Sequence, residues 1–160
     1  MNAELITYFT GEKNGALLLV FMAIVSITGS YLLWHSKSAF VAMAWPLVIL
    51  GAFELAVGAA VASRTPAQVQ QLERGIATDK RITVSKELER MERVNRNFAI
   101  VKKVEVAFIV IGLIGAIAFP LGSTWSAVGL GLLLQSTALL VFDSFAHDRA
   151  NTYVQWLQSI

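Results

Sequence analysis

The chain has 160 residues, of which 56% are hydrophobic and 15% are charged, and its formal net charge is +2. Soluble domains carry about 25% charged residues, so this composition predicts an integral membrane protein. The absence of cysteine excludes a disulfide-stabilised secreted scaffold, and the high hydrophobicity excludes intrinsic disorder.

Four apolar stretches are long enough to cross a bilayer, which takes roughly 20 residues of helix. In none of them do polar residues return every three or four positions, as they would in a soluble helix. The first stretch is preceded by Glu4 and Glu12 and is not followed by a small-residue cleavage site, so we expect a retained span rather than a cleaved signal peptide. The four predicted spans are residues 14–34, 38–62, 100–119 and 124–143.

Lysine and arginine are concentrated in the middle of the chain, where residues 63–103 hold ten of the 13. The link between the first two spans has only Lys37, and the link between the last two has none. Short loops rich in Lys and Arg stay in the cytoplasm. This predicts a four-helix bundle in a bacterial-type cytoplasmic membrane, with both termini and residues 63–103 on the cytoplasmic side.

The segment from about residue 63 to residue 99 predicts a cytoplasmic helical hairpin. Thr65 and Pro66 are typical of a helix start, with a capping hydroxyl followed by proline at the first helical position. A second helix is predicted from Ser85, and it continues without Gly or Pro into the third span. The third span is therefore predicted to be continuous with a long cytoplasmic helix.

This second helix carries a stripe of residues at alternating spacings of four and three, which indicates a surface that contacts another helix. Either the first helix of the hairpin covers the stripe, or the stripe meets a second copy or another protein. The charged residues beside it, Glu87 and Arg90 among them, are predicted to form a solvated face. The stripe consists of Val84, Leu88, Met91, Asn95, Phe98, Lys102 and Glu105.

Both ends of the chain carry apolar and aromatic residues at helical spacing. Such segments suit the membrane surface, where one face is buried among headgroups. We therefore expect two interfacial tails, formed by Leu5, Ile6, Tyr8 and Phe9 and by Tyr153, Trp156, Leu157 and Ile160.

Three carboxylates fall within or at the edge of the predicted spans: Glu54, Glu105 and Asp143. An ionisable group at mid-membrane costs about 2.5–3.5 kcal/mol on insertion scales, so such groups normally face a partner or a cavity. Glu54 is the deepest, and it shares its helix face with Gly51 and Gly58. Small faces are where helices approach closely, so Glu54 is expected to point into the bundle.

Two interpretations of these groups remain open. In the first, a buried ionic site binds a proton, a cation or a cationic ligand; its residues are Glu54, Glu105, Asp143, His147 and Lys102. In the second, Lys102 or Lys103 neutralises Glu105 or Asp143, and Glu54 is protonated or hydrogen-bonded.

The sequence lacks the patterns of catalysis and of cofactor binding. No serine lies in a nucleophile-elbow pattern, and His35 and His147 fall on opposite sides of the predicted membrane, which argues against a histidine-rich metal site. We expect no cofactor, and a membrane enzyme ranks third, behind the two functions given below. Acidic residues balance the basic segment, which argues against nucleic acid as a partner, whereas its Lys and Arg could contact anionic lipids.

Two functions follow from these patterns. The first is a non-enzymatic membrane protein that acts by protein contact, either as a complex subunit or as a guard protein that blocks a toxin or effector. Its contact residues would be Gly51, Gly58, Leu88, Met91, Asn95 and Phe98. The second is a small oligomeric proton or ion channel, or an ion-coupled carrier, that uses the three carboxylates. The first is favoured because no span shows the broken helices or inverted repeats expected of carriers.

Overall fold

The computed structural model describes residues 3–160 and contains four long helices joined by short connections. They are α1 (Ala3–His35), α2 (Ala44–Thr78), α3 (Lys80–Ala118) and α4 (Thr124–Ser159), and a single 3-10 turn (Val41–Met43) precedes α2. No strand occurs within residues 3–160. The predicted all-helical class and the count of four long helices are confirmed.

Three of the helical segments are long and apolar enough to cross a membrane: Ala3–His35, Val41–Thr78 and Thr124–Ser159. In α3, the charges of Lys102, Lys103 and Glu105 limit the uncharged stretch to residues 106–118. We call the part of the bundle built from residues 14–62 and 104–143 the apolar half. The part built from residues 3–13, 63–103 and 144–159 is the polar half.

Two of the helices, α3 and α4, begin at a polar side chain that caps their first turn. Asp79 alone separates α2 from α3, and its carboxylate accepts a hydrogen bond from the Ile82 backbone N–H at 3.0 Å. Ser123 caps α4 in the same way, accepting from the Ser126 N–H at 3.3 Å. Gly122 just before it has φ +85°, a left-handed conformation that suits glycine.

The predicted helix start at Thr65 and Pro66 is wrong, since α2 runs through Pro66 without a break. Thr65 is 3% exposed, and its hydroxyl donates to the Val61 carbonyl at 2.7 Å instead of capping a helix. The same hydroxyl lies 3.3 Å from a carboxylate oxygen of Glu12 on α1. The helix is continuous here although Pro66 has no N–H to donate. Residues 63–99 are the end of α2, the turn at Asp79 and the start of α3.

The predicted interfacial tails are also wrong, because both ends of the chain contribute to a buried core. The α1 residues Tyr8 and Phe9 and the α4 residues Tyr153 and Leu157 are all at most 5% exposed. Their apolar faces pack together around Met91 of α3, which is 0% exposed. The helices α1 and α4 thus continue past their apolar segments as parts of the bundle.

The stripe on α3 is covered within the chain. Met91 lies at the centre of the core, and Leu88 and Phe98 pack against this core. Asn95 donates through its side-chain amide to the Asn151 side-chain oxygen on α4, at 2.9 Å. The expected cover from α2 is present, through Val69, Leu72 and Ile76, but α1 and α4 supply the buried part.

The expected solvated face on α3 is wrong for Glu87 and Arg90. Glu87 is 4% exposed, and Arg90 donates to its two carboxylate oxygens at 2.8 and 2.7 Å. The Tyr153 hydroxyl donates to the same carboxylate at 3.3 Å, and the Tyr153 ring stacks on Tyr8 with 4.1 Å between centroids. Burial raises the pKa of Tyr8 to about 12, and burial together with the Glu87 carboxylate raises the pKa of Tyr153.

In the apolar half, the helices approach closely in two pairs, α1 with α2 and α3 with α4. Glycines make this possible. A Cβ atom added at Gly129 of α4 would lie 2.7 Å from the Ala116 nitrogen and 2.7 Å from the Gly112 carbonyl oxygen of α3. The backbones of α3 and α4 therefore touch at a point where no other residue fits.

Candidate functional site in the bundle interior

The deepest carboxylate, Glu54 of α2, lies inside the bundle and is 1% exposed. Gly51 and Gly58 lie on the same face and pack against α1. A Cβ atom at Gly58 would be 2.9 Å from the Ala16 carbonyl oxygen, and one at Gly51 would be 3.1 Å from the Ser26 Cβ atom. The small residues thus let α1 cover the face from which Glu54 projects.

A chain of hydrogen bonds links Glu54 to α4 and α1. The side-chain amide of Gln135 on α4 donates to Glu54 Oε1. The Ser26 hydroxyl on α1 donates to Gln135 Oε1 at 3.0 Å, and the Ser30 hydroxyl donates to the Ser26 carbonyl at 2.8 Å. The other carboxylate oxygen, Glu54 Oε2, is buried and has no hydrogen-bond partner among residues 3–160.

The other two carboxylates, Glu105 of α3 and Asp143 of α4, lie together nearer the polar half. Glu105 is 4% exposed, and it lies close enough to Asp143 for the two carboxyl groups to act on each other electrostatically. Glu105 Oε2 is a second buried oxygen without a hydrogen-bond donor in the described part of the chain. Asp143 also lies close enough to Glu54 to interact with it electrostatically. The three carboxylates therefore form a series across α2, α4 and α3.

Lys102 and His147 follow this series at the start of the polar half. The Lys102 ammonium lies 2.7 Å from His147 Nδ1, and the imidazole stacks on Phe98 with 5.5 Å between centroids. Burial and the adjacent ammonium lower the pKa of His147. Lys102 has no carboxylate within 4.0 Å in residues 3–160, so it does not form the expected direct ion pair with Glu105 or Asp143, although its charge acts on both.

The predicted site residues thus lie along one path rather than around one point. From the middle of the apolar half toward the polar half, the order is Glu54, then Asp143 with Glu105, then Lys102 with His147. Within residues 3–160, no three His, Asp or Glu side chains are arranged to hold a metal ion. The carboxyl and imidazole groups along this path are of the kind that take up and release protons in proteins.

Sequence reasoning missed Gln135 and Ser26 as members of this group. Gln135 is 5% exposed and is the direct partner of Glu54. The available signal was the presence of an amide side chain in an apolar stretch, since amides in spans generally bond across helices. Ser26 gave no comparable signal, because serine is common in spans and often bonds to its own helix.

No protein-family model matches this chain, and no curated protein or solved structure is detectably similar to it.

Proposed function

We propose that the protein is an integral membrane protein with four spans and with the polar half in the cytoplasm. Three segments have the length and hydropathy of spans. The uncharged part of α3 packs directly on α4, with Gly112 against Gly129, so a bilayer that surrounds α4 also surrounds α3. The concentration of Lys and Arg in residues 63–103 supports the orientation.

Within that membrane protein, we propose that protons cross the bilayer, and that the carboxylate series carries them between the membrane interior and the cytoplasm. The observation that carries the proposal is the buried Glu54 oxygen that lacks a hydrogen-bond donor in the described chain, deep in the apolar half. An uncompensated carboxylate there would be costly, so a proton on Glu54 is favoured. Asp143 and Glu105 provide the next acceptors toward the cytoplasm.

A proton suits this interior better than a hydrated cation does. Protons pass between hydrogen-bonded groups and single waters, whereas a hydrated ion needs an open pore. The close glycine contacts of α1 with α2 and of α3 with α4 leave no such pore within a pair. Conduction of a larger cation would require several copies of the chain around a shared pathway.

The contact function is less well supported than proton transfer. Its proposed surface on α3 is covered by α1, α2 and α4 of the same chain. The faces of Gly51 and Gly58 are likewise occupied by α1. A partner protein would therefore need a different surface.

Proton flux into liposomes tests the proposal through Glu54→Gln. Glutamine keeps the shape and can still accept the hydrogen bond from Gln135, but it cannot release a proton at neutral pH. With an entrapped pH dye and an imposed potassium diffusion potential, we expect wild-type flux above that of empty liposomes. We expect Glu54→Gln to lower that flux at least about tenfold, because the proton-carrying group is removed.

Glu89→Gln is the matched control, since Glu89 is an exposed carboxylate of the polar half. It should retain wild-type flux, and both variants should elute from size-exclusion chromatography like the wild type. Equal flux in the wild type and Glu54→Gln, or no wild-type flux above background, would contradict proton transfer through Glu54.

A further inference from the structure

A cavity of about 140 Å³ lies in the bundle where the apolar half meets the polar half. All four helices line it. Its wall is mainly apolar, with Leu19, Val57 and Phe142 on the side of the apolar half and Tyr8 on the opposite side. A cavity of about 150 Å³ accommodates a ligand of the size of benzene, so this one has room for a small organic molecule.

Four charged residues also line the cavity: Glu12, Arg64, Asp143 and Arg149. Three of them have charged or polar neighbours. Glu12 lies 4.0 Å from the Arg64 guanidinium and 3.3 Å from the Thr65 hydroxyl. Asp143 lies beside Glu105.

Arg149 differs from these three because no carboxylate lies within 4.0 Å of its guanidinium in the described chain. Its side chain rests on the bare backbone of α1 at two glycines. A Cβ atom at Gly11 would be 2.6 Å from Arg149 Cδ, and one at Gly15 would be 3.0 Å from an Arg149 terminal nitrogen. The two glycines therefore hold the guanidinium against α1 at the wall of the cavity.

We infer that this cavity binds a small organic monoanion, with its carboxylate or phosphate on the Arg149 guanidinium and its apolar body against the Phe142 side of the wall. A planar guanidinium pairs with carboxylate and phosphate through two parallel hydrogen bonds. Asp143 precedes Arg149 by six residues, about 9 Å along α4. A second negative charge on the ligand would approach Asp143, so a single charge is preferred.

The anionic group can come from two sources, a free organic acid or the phosphate of an anionic lipid. Benzoate represents the first, because it is a carboxylate on a benzene-sized body. Phosphatidylglycerol in nanodiscs represents the second, compared with nanodiscs of phosphatidylcholine alone. Benzamide has the shape of benzoate without its charge, and it controls for partition into detergent.

The test measures the thermal unfolding midpoint of the purified full chain with these probes. We expect a saturable rise with benzoate or with phosphatidylglycerol, and no rise with benzamide. Arg149→Gln should weaken the response about tenfold, the loss expected for a charge-assisted hydrogen bond. Arg96→Gln, which removes an exposed arginine of the polar half, should respond like the wild type.

A response to benzoate assigns the site to a free acid, and a response to phosphatidylglycerol alone assigns it to a lipid headgroup. If Arg149→Gln does not fold, Ala146→Leu replaces it, because Ala146 lines the cavity and the larger side chain fills it while Arg149 is kept. A wild type that responds to neither probe would overturn the inference. So would an Arg149→Gln or Ala146→Leu variant that responds like the wild type.

Discussion

The two halves of this bundle are held together by opposite kinds of residue. In the apolar half, glycines bring the backbones into contact, and large side chains such as Phe21, Ile49 and Ile117 are 62%, 63% and 75% exposed. In the polar half, large side chains such as Met91 and Leu157 are 0% and 1% exposed. The difference is the one expected if lipid surrounds the apolar half and water surrounds the polar half, as proposed above. Water drives large apolar groups inward, whereas lipid gives them no preference and leaves close packing and hydrogen bonds to join helices.

The buried acids of the two halves differ in the same way. In the polar half, Glu87 forms an ion pair with Arg90, which donates two hydrogen bonds to its carboxylate. In the apolar half, Glu54 has a neutral amide as its partner, supplied by Gln135. An ion pair in the buried interior of the apolar half would need a second ionised group there, with its own desolvation cost. A protonated Glu54 beside the neutral Gln135 amide would carry no charge and would avoid that cost.

Substitution at the α3–α4 contact should break the apolar half most severely. Gly129→Leu would place a side chain where the Gly112 carbonyl oxygen is 2.7 Å from the new Cβ atom. The two helices would have to separate along their length, so we expect a loss of more than about 4 kcal/mol. The measurement is the yield of monodisperse protein in detergent, with the unfolding midpoint where any is recovered.

Gly29→Leu is the control for that substitution, because nothing lies within 4 Å of a Cβ atom added at Gly29. It adds the same side chain to the apolar half and should leave yield and midpoint unchanged. If both variants behave alike, glycine contact does not hold the apolar half together.

The polar half should respond to the loss of a large side chain instead. Met91→Ala removes a fully buried side chain at the centre of the core. We expect a loss of about 3 kcal/mol from the lost burial and the cavity left behind, measured by denaturant unfolding in detergent. Ile82→Ala on the same helix should cost far less, since Ile82 is 54% exposed. Equal losses of unfolding free energy in the two variants would mean that burial of large side chains does not stabilise the polar half.

Alkaline pH should act on the polar half with a smaller effect. The folded state raises the pKa of Tyr8 from 10.0 to about 12, so the neutral phenol is favoured by folding. That stabilisation is complete below pH 10 and is lost between pH 10 and pH 12, and it amounts to at most about 3 kcal/mol. Tyr8→Phe should therefore flatten the fall in unfolding midpoint over this range, and Tyr31→Phe, outside the core, should retain the wild-type fall. A Tyr8→Phe profile identical to the wild type would exclude this titration.

The sequence predicted the helices better than their ends, for a physical reason. Helix number follows from the length of each apolar stretch, which is a local property. At the unbroken part of α2, Thr65 precedes Pro66 and contacts Glu12, 53 residues earlier. The inclusion of Tyr8 in a core depends on Met91, 83 residues away. A local sequence pattern contains neither of these distant partners. An amphipathic stripe such as those at the two ends of the chain is equally suited to a membrane surface and to the interior of a bundle.

The candidate site was predictable to the extent that its members are charged. Glu54 is conspicuous because a carboxylate is rare in an apolar stretch. Its amide partner Gln135 carries no charge and lies 81 residues away, so only the fold identifies it. The Arg149 side chain can lie against α1 because residues 11 and 15 are glycines. Nothing in the sequence distinguishes these two glycines from the other glycines of the helices.

The stacking of Tyr8 on Tyr153 also has a consequence for synthesis on the ribosome. The two helical pairs of the apolar half join neighbours in sequence, so each pair can form once its second helix has been synthesised. The core around Met91 requires Tyr153 of α4, and that helix is translated last. At about 5–20 residues per second, several seconds separate the appearance of Met91 from that of Tyr153. During that interval the apolar faces of Leu5, Phe9 and Met91 are open to chaperones and proteases, and α4 protects them only when it docks.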